Sequence, residues 1–421
     1  MNEKMTAIMA ARLATKNRRK TMRCQVFRVK VDRSKLSPPV LKHLNKLFNE
    51  AKWFYNYIIS QKDIASVSTT IKTVPVKTPE AIEYRDFEYL SSQMKQGIKE
   101  RIFNNIKALS AIKKKNASTK KKKIRIGRLK FRSFVDSIPL NQHKITYTIS
   151  EDRKYIKLQR LKHRLKVVGL EQIPLDSEIA SAVLVRKCGD FYFHIVTYNS
   201  NYKPVPPDLY IGIDFGCETQ LTLRNGIKIE FEVPVDIKIK RLDRKIMKNN
   251  RKKSKNKWKD QRKRRKAYNY LKNKKTDIRN KVVSVLTSNY KCVIVQDESI
   301  KAWQAGGHGK KINHSAIGGV ISDLKQKSHT PVVVDKFFPS TQLCPQCGKK
   351  NKLEQSERVY NCSCGYSADR DVKSALMIER EGRRMIQAPT DRRDEPKDRE
   401  ATARVYACLK SIRGIRVSLS G

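Results

Sequence analysis

Cys344-Pro-Gln-Cys347-Gly, Cys362-Ser-Cys364-Gly and Asp369-Arg-Asp371 follow one another in a single stretch near the C-terminal end. Two cysteine pairs separated by a spacer of zinc-ribbon length supply four soft ligands, the set that suits tetrahedral Zn2+. The second pair, Cys-x-Cys, is tighter than the usual two-residue gap. A closed four-cysteine site keeps no coordination position open, so Cys344, Cys347, Cys362 and Cys364 are predicted to hold a structural zinc. The carboxylates directly behind them are hard oxygen ligands and point to a second metal that acts on phosphate groups.

The charge balance points the same way. Ninety-two Lys and Arg stand against 40 Asp and Glu in 421 residues, a net charge of +52. A long polyanion is the natural partner of such a chain, because each neutralised phosphate releases counterions. A membrane partner is not expected, since no apolar run approaches the roughly 18 residues of a spanning helix. The chain is long enough for two or three domains with cores of their own. Of nine cysteines, Cys24, Cys188, Cys217, Cys292 and Cys408 are scattered outside the cluster. That is no disulfide framework, and it predicts a reducing, cytoplasmic setting.

Outward from the cysteines, hydrophobic periodicity divides the chain. Residues 1–21 carry Arg12, Lys16, Arg18, Arg19 and Lys20 and read as a disordered basic arm. Residues 22–34 alternate as a strand. After Ser37-Pro38-Pro39, Leu41, Leu44, Leu47, Phe48, Ala51, Phe54, Tyr55, Ile58 and Ile59 recur at helical spacing. Residues 65–80 read as a loop, a second helix is predicted over about Tyr84 to Lys113, and Lys113 to Lys123 reads as a Lys-rich turn. Strand periodicity returns at Lys144–Ser150, Tyr155–Leu161, Leu165–Val168, Ala182–Arg186 and Phe191–Tyr198, the pattern of a small barrel or sandwich into which the helices are inserted. Lys203-Pro-Val-Pro-Pro207 is the expected linker. Beyond it come a strand ending at Asp214, a turn at Arg224-Asn-Gly226, a basic stretch over 238–281, and a strand ending near Glu298. Another strand runs over Pro331–Asp335, and residues 381–421 read as a mobile tail.

Asp214, Glu298 and Asp371 stand out because each ends or follows an apolar strand or motif. Carboxylates at strand ends can converge on one point. Two Mg2+ ions about 3.5–4 Å apart, held by such a set, would stabilise the attacking and leaving oxygens of a phosphodiester. Taken alone, an Asp after a strand is more often a helix N-cap or turn residue. Asp297 competes with Glu298, and Asp369 with Asp371; alternation along a strand puts adjacent residues on opposite faces, so only one of Asp297 and Glu298 is expected to face the centre. In the basic stretch, Ile239, Leu242, Ile246, Tyr268, Leu271 and Ile278 are the sparse apolar spine. Arg241, Arg244, Lys245, Arg251, Lys252, Arg262, Arg264 and Arg265 are the predicted nucleic-acid contacts. Trp53, Phe54, Tyr55 and Tyr57 are candidates for base stacking, although their helical spacing also fits core packing.

Assembled in order, these residues resemble the TnpB family of transposon-encoded RNA-guided nucleases and its relatives, the miniature type V CRISPR effectors. Leu44-Asn-Lys-Leu-Phe-Asn-Glu-Ala-Lys-Trp-Phe-Tyr-Asn56 resembles the family's first recognition helix. Gly127-Arg-Leu-Lys-Phe-Arg132 and Ile156-Lys-Leu-Gln-Arg-Leu161 resemble its wedge β-domain. Gly212-Ile-Asp214-Phe-Gly216 and Val293-Ile-Val-Gln-Asp-Glu298 resemble the first two motifs of its RuvC nuclease. Phe338-Pro-Ser-Thr-Gln-Leu-Cys344-Pro-Gln-Cys347-Gly and Cys364-Gly-Tyr through Asp371 resemble its zinc ribbon and third motif. One departure is Glu298-Ser-Ile300, where the family usually shows Glu-Asp-Leu or Glu-Asn-Leu.

The resemblance implies a multidomain α+β and α/β chain. A wedge β-barrel (22–40 and 124–203) would carry a helical recognition insertion (41–123). An RNase H-like RuvC domain (208–340 and 367–380) would carry an inserted zinc ribbon (341–366). It implies catalytic, Mg2+-binding roles for Asp214, Glu298 and Asp371, and prefers Asp371 to Asp369. It further implies a guide RNA and target double-stranded DNA as partners, one or two protein copies on one RNA, and a nucleoid-associated prokaryotic protein. A non-cleaving RNA-guided repressor, a DNA-moving transposase and a zinc-ribbon ribosomal or transcription protein are the rival readings. All three carboxylates being present argues against the first of these.

Overall fold

The structure, a computed structural model, describes residues 3–118, 127, 129–200, 206–248, 254–354, 357–388 and 396–420. The chain divides into two compact units, Met1–Tyr202 and Lys203–Gly421. The expected linker Lys203 to Pro207 falls at this division, and its first three residues lie outside the described set; of the expected Lys-rich turn, residues 119–123 also lie outside it, while residues 113–118 are helical rather than a turn.

In the first unit the order is α1 (Glu3–Lys20), β1 (Arg23–Val31), α2 (Pro38–Ser60), β2 (Thr73–Lys77), β3 (Ile82–Asp86) and α3 (Ser92–Ser118). Six strands follow: β4 (Ser137–Leu140), β5 (Tyr147–Ile149), β6 (Tyr155–Leu158), β7 (Arg164–Val168), β8 (Glu178–Lys187) and β9 (Asp190–Asn199). All but β2 and β3 form one antiparallel sheet in the order β4-β8-β9-β1-β7-β6-β5. The sheet curls almost into a barrel: on its last strand the Tyr147 hydroxyl donates to the Ala180 carbonyl on β8, 3.0 Å away. β8 turns into β9 through Cys188 and Gly189, both at positive φ, the mirror-image turn that matches strand twist. Helix α2 starts at a proline in its first turn and buries Val40, Leu44, Leu47, Phe48, Ala51, Phe54, Tyr55 and Ile58, one continuous apolar stripe.

Three expectations change here. Residues 3–20, read as a disordered arm, form α1; from the same helix, Arg18 and Arg19 clasp Glu178 at 2.9 and 2.7 Å. Within the expected loop 65–80, Thr73–Lys77 is a strand paired with Ile82–Asp86. Pro75 interrupts its alternation, and a two-stranded hairpin tolerates proline because one side of each strand is unpaired. The second helix therefore begins at Ser92 rather than at Tyr84.

The second unit begins with β10 (Tyr210–Phe215), β11 (Leu221–Leu223), β12 (Ile227–Glu230), α4 (Ile237–Lys248), α5 (Lys255–Asn289) and β13 (Cys292–Gln296). The short helices α6 (Ile300–Trp303) and α7 (Gly309–Ser315) lead to α8 (Ile317–Lys327) and β14 (Thr330–Val334). Then come β15 (Val359–Asn361), β16 (Ser367–Asp369), α9 (Arg370–Met385), α10 (Pro396–Lys410) and β17 (Arg416–Leu419). A mixed sheet runs β14-β13-β10-β11-β12-β17. β10, β13 and β14 are parallel, whereas β10, β11, β12 and β17 pair antiparallel. The β11–β12 turn passes through Gly226 at φ 86°, as its Arg-Asn-Gly sequence predicts.

The C-terminal residues are not a mobile tail where they are described. Ala401, Val405, Leu409 and Ile412 form a buried stripe on and just beyond α10, and β17 adds to β12 from Ile227↔Leu419 to Glu230↔Arg416. Charged residues between these apolar positions dilute the average hydrophobicity while leaving the helical spacing intact. No helix among the described residues is long and apolar enough to cross a membrane.

Helix α9 lies directly on the sheet. A Cβ added at Gly212 would stand 2.2 Å from the Ala375 carbonyl oxygen, and one at Gly382 would stand 2.2 Å from Ile294 Cγ2. The backbone of β10 and the backbone of α9 meet without an intervening side chain, which fixes the helix across the middle of β10 and β13.

Candidate metal centre and acidic site

The Cys-x-x-Cys and Cys-x-Cys segments each turn through a left-handed glycine, Gly348 at φ 72° and Gly365 at φ 87°. The Gly348 N–H donates to the Cys344 carbonyl and the Gly365 N–H to the Cys362 carbonyl, at 3.1 and 3.0 Å. These tight turns direct the sulfurs inward. The Sγ atoms of Cys344, Cys347, Cys362 and Cys364 all lie within 4.8 Å of one another. Cys344 to Cys364 is 3.6 Å and Cys347 to Cys362 is 3.5 Å. A tetrahedron with metal–sulfur arms of about 2.3 Å has edges of about 3.8 Å, so the four sulfurs fit one thiophilic ion. They are too far apart for disulfides, whose sulfurs stand about 2.05 Å apart. The tight second pair contributes both of its sulfurs, each opposite one from the first pair.

Asp214 is on β10, one residue before its end, and Glu298 lies two residues past β13, the parallel neighbour of β10. Asp371 is in the first turn of α9. Three segments far apart in sequence thus bring their carboxylates toward one region. Burial raises the Asp214 carboxyl well above its ordinary pKa; the charges of Asp371 and then Glu298 push it further, and Arg370 pulls it back. Burial also raises Glu298, with Asp297 adding to the shift and Lys325 opposing it. Among the described residues the four cysteines are the one group whose ligand atoms all fall within 4.8 Å; the carboxylates stand further apart. The donor set, three carboxylates and no sulfur, suits hard cations.

The rival acids are otherwise engaged. Asp369 caps α9: one oxygen accepts the N–H groups of Asp371 and Val372 at 3.0 and 3.1 Å, and the other takes the Lys228 ammonium at 2.6 Å. Burial raises its pKa, but those partners outweigh the effect and leave it below its ordinary value. Asp297 is exposed and pairs with Lys325 at 2.6 Å. Asp371 itself meets the Arg370 guanidinium at 3.3 Å.

Two buried ionic clusters, not found in the sequence, hold this arrangement. Lys373, two residues past Asp371, is 1% exposed. Its ammonium donates to the carbonyls of Ser340, Thr341 and Leu343 at 3.0, 2.6 and 3.2 Å and lies 4.0 Å over the Tyr360 ring. The acid-bearing helix is thereby pinned to the segment entering Cys344. Burial pulls the Lys373 pKa down to about 8, against the charges of Cys344 and Asp214. Glu379, also 1% exposed, accepts the Gly212 N–H at 2.8 Å and pairs with Arg224 and Arg383, each at 2.8 Å. Arg224 in turn binds Asp398 on α10. Nothing local in the sequence marks either residue, since both look like ordinary charges on an amphipathic helix.

Glu379→Ala would leave two guanidinium groups and a backbone N–H without their carboxylate. Breaking a buried pair in this way costs about 3–5 kcal/mol. The urea midpoint should fall accordingly, and Glu379→Leu combined with Arg224→Met should lose less than the two single changes added together. Strict additivity would mean that the cluster does not act as a unit.

The basic stretch forms α4 and α5. Ile239, Leu242, Ile246, Leu271 and Ile278 are buried, while Tyr268 is exposed. Arg241, Arg244, Lys245, Arg262 and Arg265 are on the exposed side. Arg264 is half-buried against Asp243 at 2.7 Å. Arg251 and Lys252 lie outside the described residues.

Residues 322–378, from α8 through the cysteine cluster into α9, match the family model described as Cas12f1-like, TNB domain. A curated relative from Streptomyces pristinaespiralis, named "Putative RNA-guided DNA endonuclease", is 26% identical over 220 residues, covering 49% of this chain and 54% of that protein. Both matches support the TnpB and miniature type V effector family. The chain spans about half the length of this relative. The matched TNB segment contains the four cysteines, Asp371 and Lys373.

Proposed function

We propose that this protein is an RNA-guided DNA endonuclease. Asp214, Glu298 and Asp371 are its catalytic carboxylates on an RNase H-like (RuvC) sheet, and Cys344, Cys347, Cys362 and Cys364 form its structural zinc ribbon. The observation that carries this reading is the convergence of three carboxylates from β10, the end of β13 and the start of α9. Their mutual repulsion is unfavourable unless cations lie between them. The mixed sheet, with β10–β12 antiparallel and β13 and β14 parallel, is consistent with that fold.

Bound Mg2+ would supply charge stabilisation to the attacking and leaving oxygens of a phosphodiester. The protein's own part is positional. Asp214 is held on a strand whose backbone touches α9, Glu298 extends from the adjacent parallel strand, and Asp371 is fixed by the cap at Asp369. Arg241, Arg244, Lys245, Arg251, Lys252, Arg262, Arg264 and Arg265 neutralise phosphates of the bound nucleic acid; Arg264 must share its charge with Asp243. Guide pairing selects the target, and the barrel (22–40 and 124–203) with its helical insertion (41–123) inspects a short flanking motif. A transposon setting is favoured over a CRISPR one.

The test is cleavage by the full chain co-purified with RNA transcribed from its own locus. A plasmid bearing the matching target beside a randomised flank should be cut when Mg2+ is present and left intact with chelator. Failure of the RNA-loaded protein to cut any flank variant would refute nuclease function.

A further inference from the structure

Two large apolar side chains of the first unit are held out in solvent on a braced loop. Phe131 and Phe134 are 65% and 66% exposed, yet their neighbours are anchored: Leu129 packs on the core and Val135 is buried. Between them, the Asn56 amide of α2 grips the loop backbone from both sides. Its Nδ2 donates to the Arg132 carbonyl at 3.0 Å, and its Oδ1 accepts the Arg132 N–H at 2.9 Å. The Arg132 guanidinium lies 4.5 Å over the Tyr55 ring, and Lys130 is exposed beside it. No acid occurs from Leu129 to Val135. The aromatic residues of α2 are less available: Phe54 is fully buried, Tyr55 is 6% exposed, and Trp53 and Tyr57 are partly buried against the core.

We propose that Phe131 and Phe134 form a stacking platform for unpaired bases of the RNA that this protein carries. A braced loop that presents Phe131 between Lys130 and Arg132, with Phe134 two residues beyond Arg132, offers a π face for a base and positive charge for the adjoining phosphates, the combination that binds single strands. A protein partner would more naturally meet an apolar patch without a cationic rim. The commitment to RNA rather than DNA follows from permanence. Exposed phenylalanines on a braced loop are an aggregation hazard in a free chain, so the occupant is a component held throughout rather than a substrate met in passing. The proposal rests on the RNA-guided reading above.

The experiment uses the full chain stripped of nucleic acid by high salt, with fluorescently labelled single-stranded RNA, DNA of the same sequence, and an RNA duplex as probes. Phe131→Ala with Phe134→Ala should weaken single-stranded RNA binding roughly tenfold or more. Leucine at both positions, apolar but without a π face, should weaken it similarly. Tryptophan at both should restore binding, with its fluorescence quenched as RNA is added. Full retention by the alanine or leucine pair, or a loss seen with DNA alone, would overturn the platform while leaving the RNA-guided reading in place. Absence of RNA binding by the wild-type chain would overturn both.

Discussion

Asp214→Asn is expected to abolish cleavage and, at the same time, to stabilise the metal-free protein. The two effects share one cause. Asp214 sits at the point where burial and the charges of Asp371 and Glu298 all disfavour its ionised form. Asparagine keeps the shape and removes the charge, so the apo chain loses a repulsion. With its folded-state pKa raised, the carboxyl holds its proton more tightly folded than unfolded. Metal-free stability therefore declines as pH rises from the ordinary carboxylate range through the raised folded value, and Asp214→Asn should flatten that decline. Removing one ligand from a two-metal site sacrifices several kcal/mol of charge stabilisation in the transition state, on the order of a thousandfold in rate. RNA loading and target binding should persist, because Asp214 offers nothing to a phosphate without a cation. Cleavage by the variant at the wild-type rate would remove Asp214 from the catalytic set. A variant that melts below wild type in chelator would contradict the electrostatic account.

The second large effect is loss of the ribbon on zinc removal. The folded segment 341–369 is small, and β15 and β16 form only a two-stranded hairpin, which is marginal alone in water. In isolated zinc-finger peptides the metal supplies about 10–16 kcal/mol of apparent binding free energy that appears as folding. Here some of that load is shared by Lys373, whose bonds to Ser340, Thr341 and Leu343 tie the ribbon to α9. Purified protein should contain about one zinc per chain. Stripping it, or replacing Cys344 by Ser, should expose residues 341–369 to rapid hydrogen exchange, with the exposure reaching the first turn of α9. An unchanged exchange pattern after complete zinc removal would show that the ribbon folds on packing alone.

Much of this architecture is legible locally. Helix α2, strands β5 to β9, the strands ending near Asp214 and Glu298, and the cysteine knuckles all follow from side-chain period or ligand spacing, which are properties of neighbours along the chain. The β2–β3 hairpin escaped because Pro75 broke the alternation. The terminal helices escaped because charges are nearly as numerous as their apolar residues and a short stripe is easily lost in such a background.

The sequence by itself determined a charge balance that suits a polyanion, four cysteines at metal-ligand spacing, and which carboxylates compete for a place beside them. Those conclusions rest on composition and spacing, which folding does not alter. Only the tertiary structure showed that Asp369 is already held by the α9 cap and Lys228, and Asp297 by Lys325, because such pairings depend on which groups the fold brings together. It alone buried Lys373 and Glu379 among their bonding partners, and left Phe131 and Phe134 exposed on the loop while Phe54 and Tyr55 of α2 are buried. Pairings such as Gly212 with Glu379 or Ile227 with Leu419 join residues far apart along the chain, and no local period records them.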